Sequence, residues 1–175
     1  MFNQPLAPNE QKSPGSPNVA DSILAVDNLT KHFKGFSLKN INFLLPHGYV
    51  MGFIGPNGSG KSTTIKLIMN LLHKDGGQIK VFGLDNLQHE LTIKDRIAFV
   101  FDENYYYEEL SIRDMARIVA SFYKHWENQT FSKRLIDFDL NPKQKIKQLS
   151  NGMKMKFSLA VALSHRAELL IMDVP

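Results

Sequence analysis

The sequence predicts an α/β domain with an antiparallel start and an inserted group of helices. Three observations lead to this prediction. Short apolar segments typical of strands alternate with amphipathic segments typical of helices. The segment 36–45 begins with alternating apolar and polar residues, as a half-exposed antiparallel strand does. Between about 103 and 163, helical patterns follow one another without an intervening strand.

The predicted elements begin near Ile23, after a segment rich in Pro, Asn, Gln, Ser and Gly. We expect residues 1–21 to form a disordered arm and residues 22–175 to form one domain. Strands are predicted at 23–29, 36–45, 49–54, 78–82, 97–101 and 169–172, and helices at 61–72, 111–126, 131–138 and 152–163. The strand at 49–54 is almost wholly apolar, so we expect it to be buried on both faces. Ser111, three residues before Asp114, is a predicted helix N-cap.

The composition excludes several classes of function. The chain has 175 residues, of which 43% are hydrophobic and 22% charged, so it can bury a core. Its net charge of +4 permits anionic ligands but falls short of a nucleic-acid-binding pattern, and we expect no nucleic acid partner. The absence of cysteine excludes a disulfide framework, a Cys-ligated zinc site and a thiol nucleophile. No segment is apolar enough over about 20 residues to span a membrane.

A glycine-rich loop carries the strongest functional signal. It fits the pattern G-x-x-x-x-G-K-[ST] between a predicted strand and a predicted helix, with the residues Gly55, Pro56, Asn57, Gly58, Ser59, Gly60, Lys61, Ser62 and Thr63. Its glycines let successive N–H groups turn towards an anion, and the helix start adds its positive dipole end. Lys61 can reach the β- and γ-phosphates of a nucleoside triphosphate, and the Ser62 hydroxyl can bind Mg²⁺. The loop does not separate an ATPase from a GTPase or a kinase.

A second acidic position supports the same chemistry. The apolar strand 169–172 ends at Asp173, where a carboxylate that holds Mg²⁺ through water belongs in a protein with such a loop. An Asp that simply starts a turn is the structural alternative.

A third motif identifies a family. Leu149-Ser150-Asn151-Gly152-Met153 stands just before a predicted helix and shortly before the strand that ends in Asp173. Here the chain resembles the ATPase domains of ABC transporters, in which Leu-Ser-Gly-Gly-Gln occupies this place. Asn151 replaces the first glycine and Met153 the glutamine. The resemblance runs from about 23 to 175. In the residues of its phosphate loop and of the Ser150 motif, the chain is similar to the ABC-2 type exporters, specifically the YtrB-like ATP-binding subunits.

The resemblance implies a fold, two cofactors and two partners. The fold is a P-loop NTPase of the ABC ATPase type, with an antiparallel β subdomain and an inserted α-helical subdomain at about 103–163. The ligands are ATP and Mg²⁺, with Phe33 stacking on adenine and with Ser150 and Gly152 capping the γ-phosphate held by a second ATP-binding domain, identical or not. The other partner is a transmembrane permease subunit. It would contact Asn104 to Tyr107 and the helix from Ser111 to Trp126, unless these residues only pack locally. Such a protein is cytoplasmic and peripheral on the inner face of the cell membrane.

Two departures from the family pattern bear on catalysis. Asp102 takes the place of a Gln that senses Mg²⁺ and the attacking water, and its carboxylate could still serve the metal. Val174 takes the place of the Glu that polarises this water, and its side chain has no acid–base capacity. The family's later segments are also missing, so we expect a domain that is incomplete at its C-terminus. The resemblance therefore implies an ATPase, and Val174 predicts impaired hydrolysis.

Three alternatives stand beside the transporter ATPase. Val174 favours a nonhydrolytic ATP-binding or regulatory module, or an inactive fragment. A soluble ABC ATPase of translation or DNA repair usually has tandem domains or long coiled-coil inserts, which the chain lacks. A P-loop kinase or GTPase lacks the Ser150 motif, and the chain has no guanine-reading Asn-Lys-x-Asp motif.

Overall fold

Two small sheets and two groups of helices make up the structure. The computed structural model describes residues 21–101 and 106–173. Its strands are β1 (Ser22–Phe33), β2 (Phe36–Pro46), β3 (Gly76–Val81), β4 (Leu84–Asp85), β5 (Ile97–Val100) and β6 (Leu169–Met172). Its helices are α1 (Lys61–Ile68), α2 (Glu90–Lys94), α3 (Ile112–Ala120), α4 (Asn128–Asp137) and α5 (Asn151–Ala162). Sheets and helices alternate, which confirms the predicted α/β class.

The antiparallel sheet has the strand order β2-β1-β3-β4. Its long pair β1 and β2 runs in register from Ser22 opposite Pro46 to Phe33 opposite Phe36, with bulges between. β1 lies between two partner strands, and its apolar residues at 23–26 and Leu29 are buried, Leu29 fully so. Gly77 is required where β3 crosses β1, since a Cβ there would lie 2.4 Å from the backbone oxygen of Asn28. The antiparallel assignment of 36–45 is confirmed.

The second sheet pairs β5 and β6 in parallel, with Ile97 opposite Leu169 and Val100 opposite Met172. Ile97 and Leu169 of these strands form one core with buried side chains of α1 and of the first sheet, whereas Ala98 and Val100 form a small cluster with Ala162. Burying this apolar surface is the main favourable contribution to folding. This core contains side chains of both α1 and β6, the strand that ends in Asp173, and so holds the two elements that carry the candidate site in one unit.

The helices α3, α4 and α5 pack around a separate core. Phe157 is completely buried there, with the Tyr106 ring 4.9 Å from its own and Phe131 on another side. α3 begins as the sequence predicts, because the Ser111 hydroxyl accepts a hydrogen bond from the Asp114 N–H at 3.1 Å. These helices lie within the range 103–163 expected for the insert.

The insert contacts β5 through residues just after the C-terminal end of α5. His165 is buried, its Nε2 donates to the Ile97 carbonyl oxygen at 3.0 Å, and its ring stacks on Tyr123 with 3.7 Å between centroids. The Glu127 N–H donates to the Ser164 carbonyl oxygen at 2.7 Å. A change in the angle between insert and core would therefore have to break or bend these contacts.

The predicted buried strand at 49–54 is wrong. This segment is irregular, with Val50 100% and Ile54 98% exposed, although Phe53 packs edge-on against Phe43 of β2. A cavity of about 290 Å³ separates Met51–Phe53 from β6. The physical reason is that an apolar run becomes a strand only where another strand completes its backbone hydrogen bonds. β6 pairs with β5, and none of the described strands pairs with 49–54.

Several other predictions differ in their limits. α1 ends at Ile68, four residues early, where Asn70 takes a left-handed φ of 53°. α3 ends at Ala120 rather than near Trp126, and α2 and β4 were not predicted. Residues 1–20 of the predicted arm lie outside the described residues. Asp102 and Val174 also lie outside them, as do Asn104 and Tyr105 of the predicted permease contact. None of the helices in the described ranges has the length and apolar composition needed to cross a membrane.

Candidate nucleotide-binding site

The glycine-rich loop leads directly into α1. Gly58 and Gly60 take left-handed φ angles of 80° and 96°, which side chains rarely adopt, so glycine is required at both. Gly60 is the N-cap of α1 and provides no side-chain hydrogen bond to the first turn. The N–H groups at this helix start are therefore available to an anionic ligand, which the helix dipole also favours.

Lys61 folds back over the loop. Its Nζ donates to the carbonyl oxygens of Gly55, at 2.8 Å, and Pro56, at 3.0 Å. The ammonium group is thus held at the loop by two neutral acceptors. Because an ionised acceptor makes a stronger hydrogen bond than a neutral carbonyl, a phosphate group entering the loop can replace these contacts.

Ser62 connects the loop to β6. Its hydroxyl donates to Asp173 Oδ1 at 2.9 Å, across 111 residues of sequence. Asp173 is itself fixed to the neighbouring strand, because its N–H donates to the Val100 carbonyl oxygen at 2.9 Å. The two positions that the sequence predicts for Mg²⁺ are therefore in contact.

The donor set fits Mg²⁺. A hydroxyl and a carboxylate are hard oxygen ligands, which this ion prefers. Within 21–101 and 106–173 no group of three or more His, Cys, Asp or Glu side chains could hold a metal by itself. Mg²⁺ usually keeps several waters and uses substrate phosphates besides one or two protein ligands. The residues present fit an ion that arrives with a nucleotide.

Ser150 and Gly152 lie at the N-terminus of α5. The Ser150 hydroxyl accepts a hydrogen bond from the Met153 N–H at 3.3 Å and so caps the helix. Both residues are exposed, and a Cβ added to Gly152 would meet no atom within 4 Å. This helix end faces open space, where a ligand held by another molecule can approach.

Phe33 lies at the end of β1 and is 41% exposed. Its ring pairs with that of Phe36, at 6.2 Å between centroids, and Lys31 Nζ lies 5.7 Å from its centroid. Lys31 is held there by Asp75 Oδ1 at 2.8 Å. The motifs in the sequence identify neither Phe36 nor Lys31. The signal that could have found them is their closeness to Phe33 in the sequence.

The aromatic segment before α3 divides between two environments. Tyr106 belongs to the core of the insert, where its hydroxyl donates to Ser158 Oγ at 3.1 Å and burial raises its pKa. Tyr107 is exposed. An open groove of about 810 Å³ lies between α3 and α4, with Arg113 and Trp126 among its lining residues. Tyr106 therefore packs locally, while Tyr107 is free to contact a partner.

Comparison with known proteins places these features together in one family. A family model described as "ABC transporter" matches residues 38–175. The zinc uptake system ATP-binding protein ZurA of Listeria innocua is 34% identical over 172 residues, covering 89% of this chain and 65% of that protein. The linearmycin resistance ATP-binding protein LnrL of Bacillus subtilis is 33% identical over 159 residues, covering 87% and 51%.

The fold also matches solved structures. One described as the ATP binding subunit of an ABC transporter has a TM-score of 0.77 and 27% identity, covering 86% of this chain and 65% of that one. A putative ABC transporter ATP-binding protein from Pyrococcus furiosus has a TM-score of 0.73 and 28% identity, covering 85% and 74%. The chain spans between about half and two-thirds of the length of the two curated relatives.

Proposed function

The chain belongs to the ABC transporter family, and on that premise we propose that it binds ATP as a subunit of a membrane transporter. The observation that carries the proposal is the hydrogen bond between Ser62 and Asp173. It joins the hydroxyl of the phosphate loop to the carboxylate at the end of β6, beside Lys61. A triphosphate and its metal need these groups at one place.

The residues of the site have separate tasks in this proposal. The N–H groups of Gly58, Gly60 and Lys61 hold phosphate oxygens, and Lys61 exchanges its two loop carbonyls for the β- and γ-phosphates. Ser62 binds Mg²⁺ directly, and Asp173 binds it through water. Bound Mg²⁺ supplies positive charge that neutralises the phosphates. Phe33 provides a face for adenine.

Two partners complete the proposed assembly. A second ATP-binding domain, identical or not, brings its triphosphate to the open helix end at Ser150 and Gly152, where the dipole favours the γ-phosphate. A permease subunit contacts Tyr107 and the groove between α3 and α4, and aromatic anchors are common at such interfaces. The chain then lies on the cytoplasmic face of the membrane. The proposal names no cargo, because relatives named for zinc uptake and for linearmycin resistance match about equally well.

The proposal is tested by measuring ATP binding to the full chain with Mg²⁺ by calorimetry. We expect Lys61→Ala to weaken binding about 10- to 100-fold, because charge-assisted hydrogen bonds to phosphate are lost. Lys66→Ala is the matched control, since Lys66 is an exposed lysine in the last turn of the same helix. Equal binding by the wild type and Lys61→Ala would contradict the proposal.

A nonhydrolytic ATP-binding module is the second candidate, and Val174 favours it. A chain with valine at this position binds ATP but lacks the side chain that polarises the attacking water, so we propose slow hydrolysis. Asp102 is proposed to assist the metal in place of the family's Gln. Phosphate release separates this candidate from an active ATPase.

A further inference from the structure

We propose that Phe36 is a positioning residue for the nucleoside half of the bound nucleotide, linking the Phe33 ring to the phosphate loop. The inference rests on the proposed function, because it concerns the same ligand. It goes beyond the motifs, none of which includes Phe36.

On one side, Phe36 contacts Phe33. The two residues are opposite each other in the β1–β2 register, with only the Lys34-Gly35 turn between them. Their ring planes differ by 26°, and Phe36 is 36% exposed. Two neighbouring phenylalanine rings open to solvent form an apolar surface with no polar atom, which suits a flat aromatic ligand.

On the other side, Phe36 reaches the phosphate loop. A Cβ added to Gly60 would lie 3.2 Å from Phe36 Cζ and 2.4 Å from Leu38 Cδ2. Gly60 immediately precedes Lys61, whose N–H begins α1. The Phe36 ring therefore packs against the part of the loop where the phosphates are held. One side chain touches both the candidate base platform and the candidate phosphate site.

This placement gives Phe36 a defined task. A nucleoside triphosphate has its base at one end and its phosphates at the other, so the ring between the two platforms faces the sugar and the near edge of the base. Phe33 is supported by Phe36 and by Lys31, which Asp75 holds in place. Without the Phe36 ring, Phe33 loses one of these supports and the nucleoside loses apolar contact. Contacts of the phosphates with Lys61 do not require the ring.

The experiment compares ATP with inorganic tripolyphosphate as calorimetric ligands of the full chain with Mg²⁺. We expect Phe36→Ala and Phe36→Leu to bind ATP about five- to twentyfold more weakly while tripolyphosphate binding stays within about twofold of the wild type. Phe36→Leu keeps an apolar side chain against Gly60. We therefore expect this variant to stay folded, so that weaker ATP binding would not result from unfolding. Phe122→Ala is the matched control, since Phe122 is 78% exposed in the helical insert.

The outcomes separate this inference from the proposed function. A wild-type chain that binds neither ligand would contradict ATP binding itself, and the role of Phe36 would fall with it. Normal ATP binding by Phe36→Leu would overturn the inference alone. An equal loss of ATP and tripolyphosphate binding in Phe36→Leu would also overturn it, since the ring would then only support the loop.

Discussion

Lys61 and Ser62 are neighbours in the chain but are held by different parts of the molecule. The Lys61 ammonium is held by its own loop, through Gly55 and Pro56, whereas the Ser62 hydroxyl is held by Asp173 on β6. A motif describes a local arrangement well, and so the loop could be predicted. The motif cannot show which aromatic ring packs on its last glycine, because that contact depends on how β2 meets the loop. Phe36 was therefore missed.

Val174 gives a prediction at the scale of one residue. Replacing Val174 by Glu should raise the rate of ATP hydrolysis by about 10² to 10⁴, the usual contribution of a general base. Phosphate release by the full chain, mixed with its partner domain where needed, is the measurement. Val174→Gln is the control, because it adds a polar side chain of similar size without an effective base. A rate for Val174→Glu that stays at the wild-type level would contradict the assigned position.

At the scale of elements, local patterns predicted strands well where the partner strand is also in the described chain. The segment 36–45, with its alternating pattern, forms β2 because β1 pairs with it. The segment 97–100 forms β5 because β6 pairs with it. The stronger apolar run at 49–54 formed no strand, since pairing depends on another segment and not on the run itself. α1 stops early because Asn70 leaves the helical region, a choice that periodicity does not reveal.

The join between β5 and β6 also depends on charge. Arg96, just before β5, makes two hydrogen bonds of 2.6 and 2.8 Å to Glu168, just before β6. The Arg96 guanidinium lowers the pKa of Glu168 from its ordinary value of 4.5. A carboxyl group with a lowered folded-state pKa stabilises the fold above its unfolded pKa, and this stability is lost as the pH falls through the folded pKa.

Glu168→Gln tests this join. We expect this variant to have a lower Tm than the wild type at pH 7. The free energy of unfolding should fall by less than about 1 kcal/mol, because both side chains are partly exposed. The difference in Tm should be largest above pH 4.5 and should shrink as the pH falls from there through the lowered folded-state pKa of Glu168, where the wild-type carboxyl also becomes neutral. Thermal unfolding followed by circular dichroism between pH 3.5 and 7 checks this, with Glu108→Gln as a control of an exposed single pair. A pH-independent difference would exclude the ionic cause.

On the scale of the whole molecule, both large cores border an open space, but the backbone around the two spaces differs. The core of the insert borders the 810 Å³ groove between the helices α3 and α4, whereas the core of the sheets borders the 290 Å³ cavity beside β6, where the segment 51–53 forms no strand. Composition and periodicity predicted the α/β class and the helical region. They could not show this cavity, because it results from the missing pairing between two segments that are each strongly apolar.

Hydrogen exchange should reveal this difference. Backbone amides at 51–54 lack ladder hydrogen bonds and should exchange at least about 100-fold faster than those at 24–26, which lie between two strands of the first sheet. Exchange measured by mass spectrometry on overlapping peptides of the full chain makes the comparison, with α1 as an internal reference of helical protection. Strong protection at 51–54 would mean that this segment has found a strand partner in solution.

The long-range contact between Ser62 and Asp173 has a consequence in time. The two residues are 111 positions apart in the sequence. A ribosome that adds about 5 to 20 residues per second therefore makes Asp173 roughly 5 to 20 seconds after Ser62. During that interval the nascent chain carries a complete phosphate loop whose hydroxyl has no carboxylate beside it. The phosphate loop thus exists before Asp173, the residue proposed to complete the metal site, and under the proposed function we expect Mg²⁺-dependent nucleotide binding to begin only after β6 has emerged and joined β5.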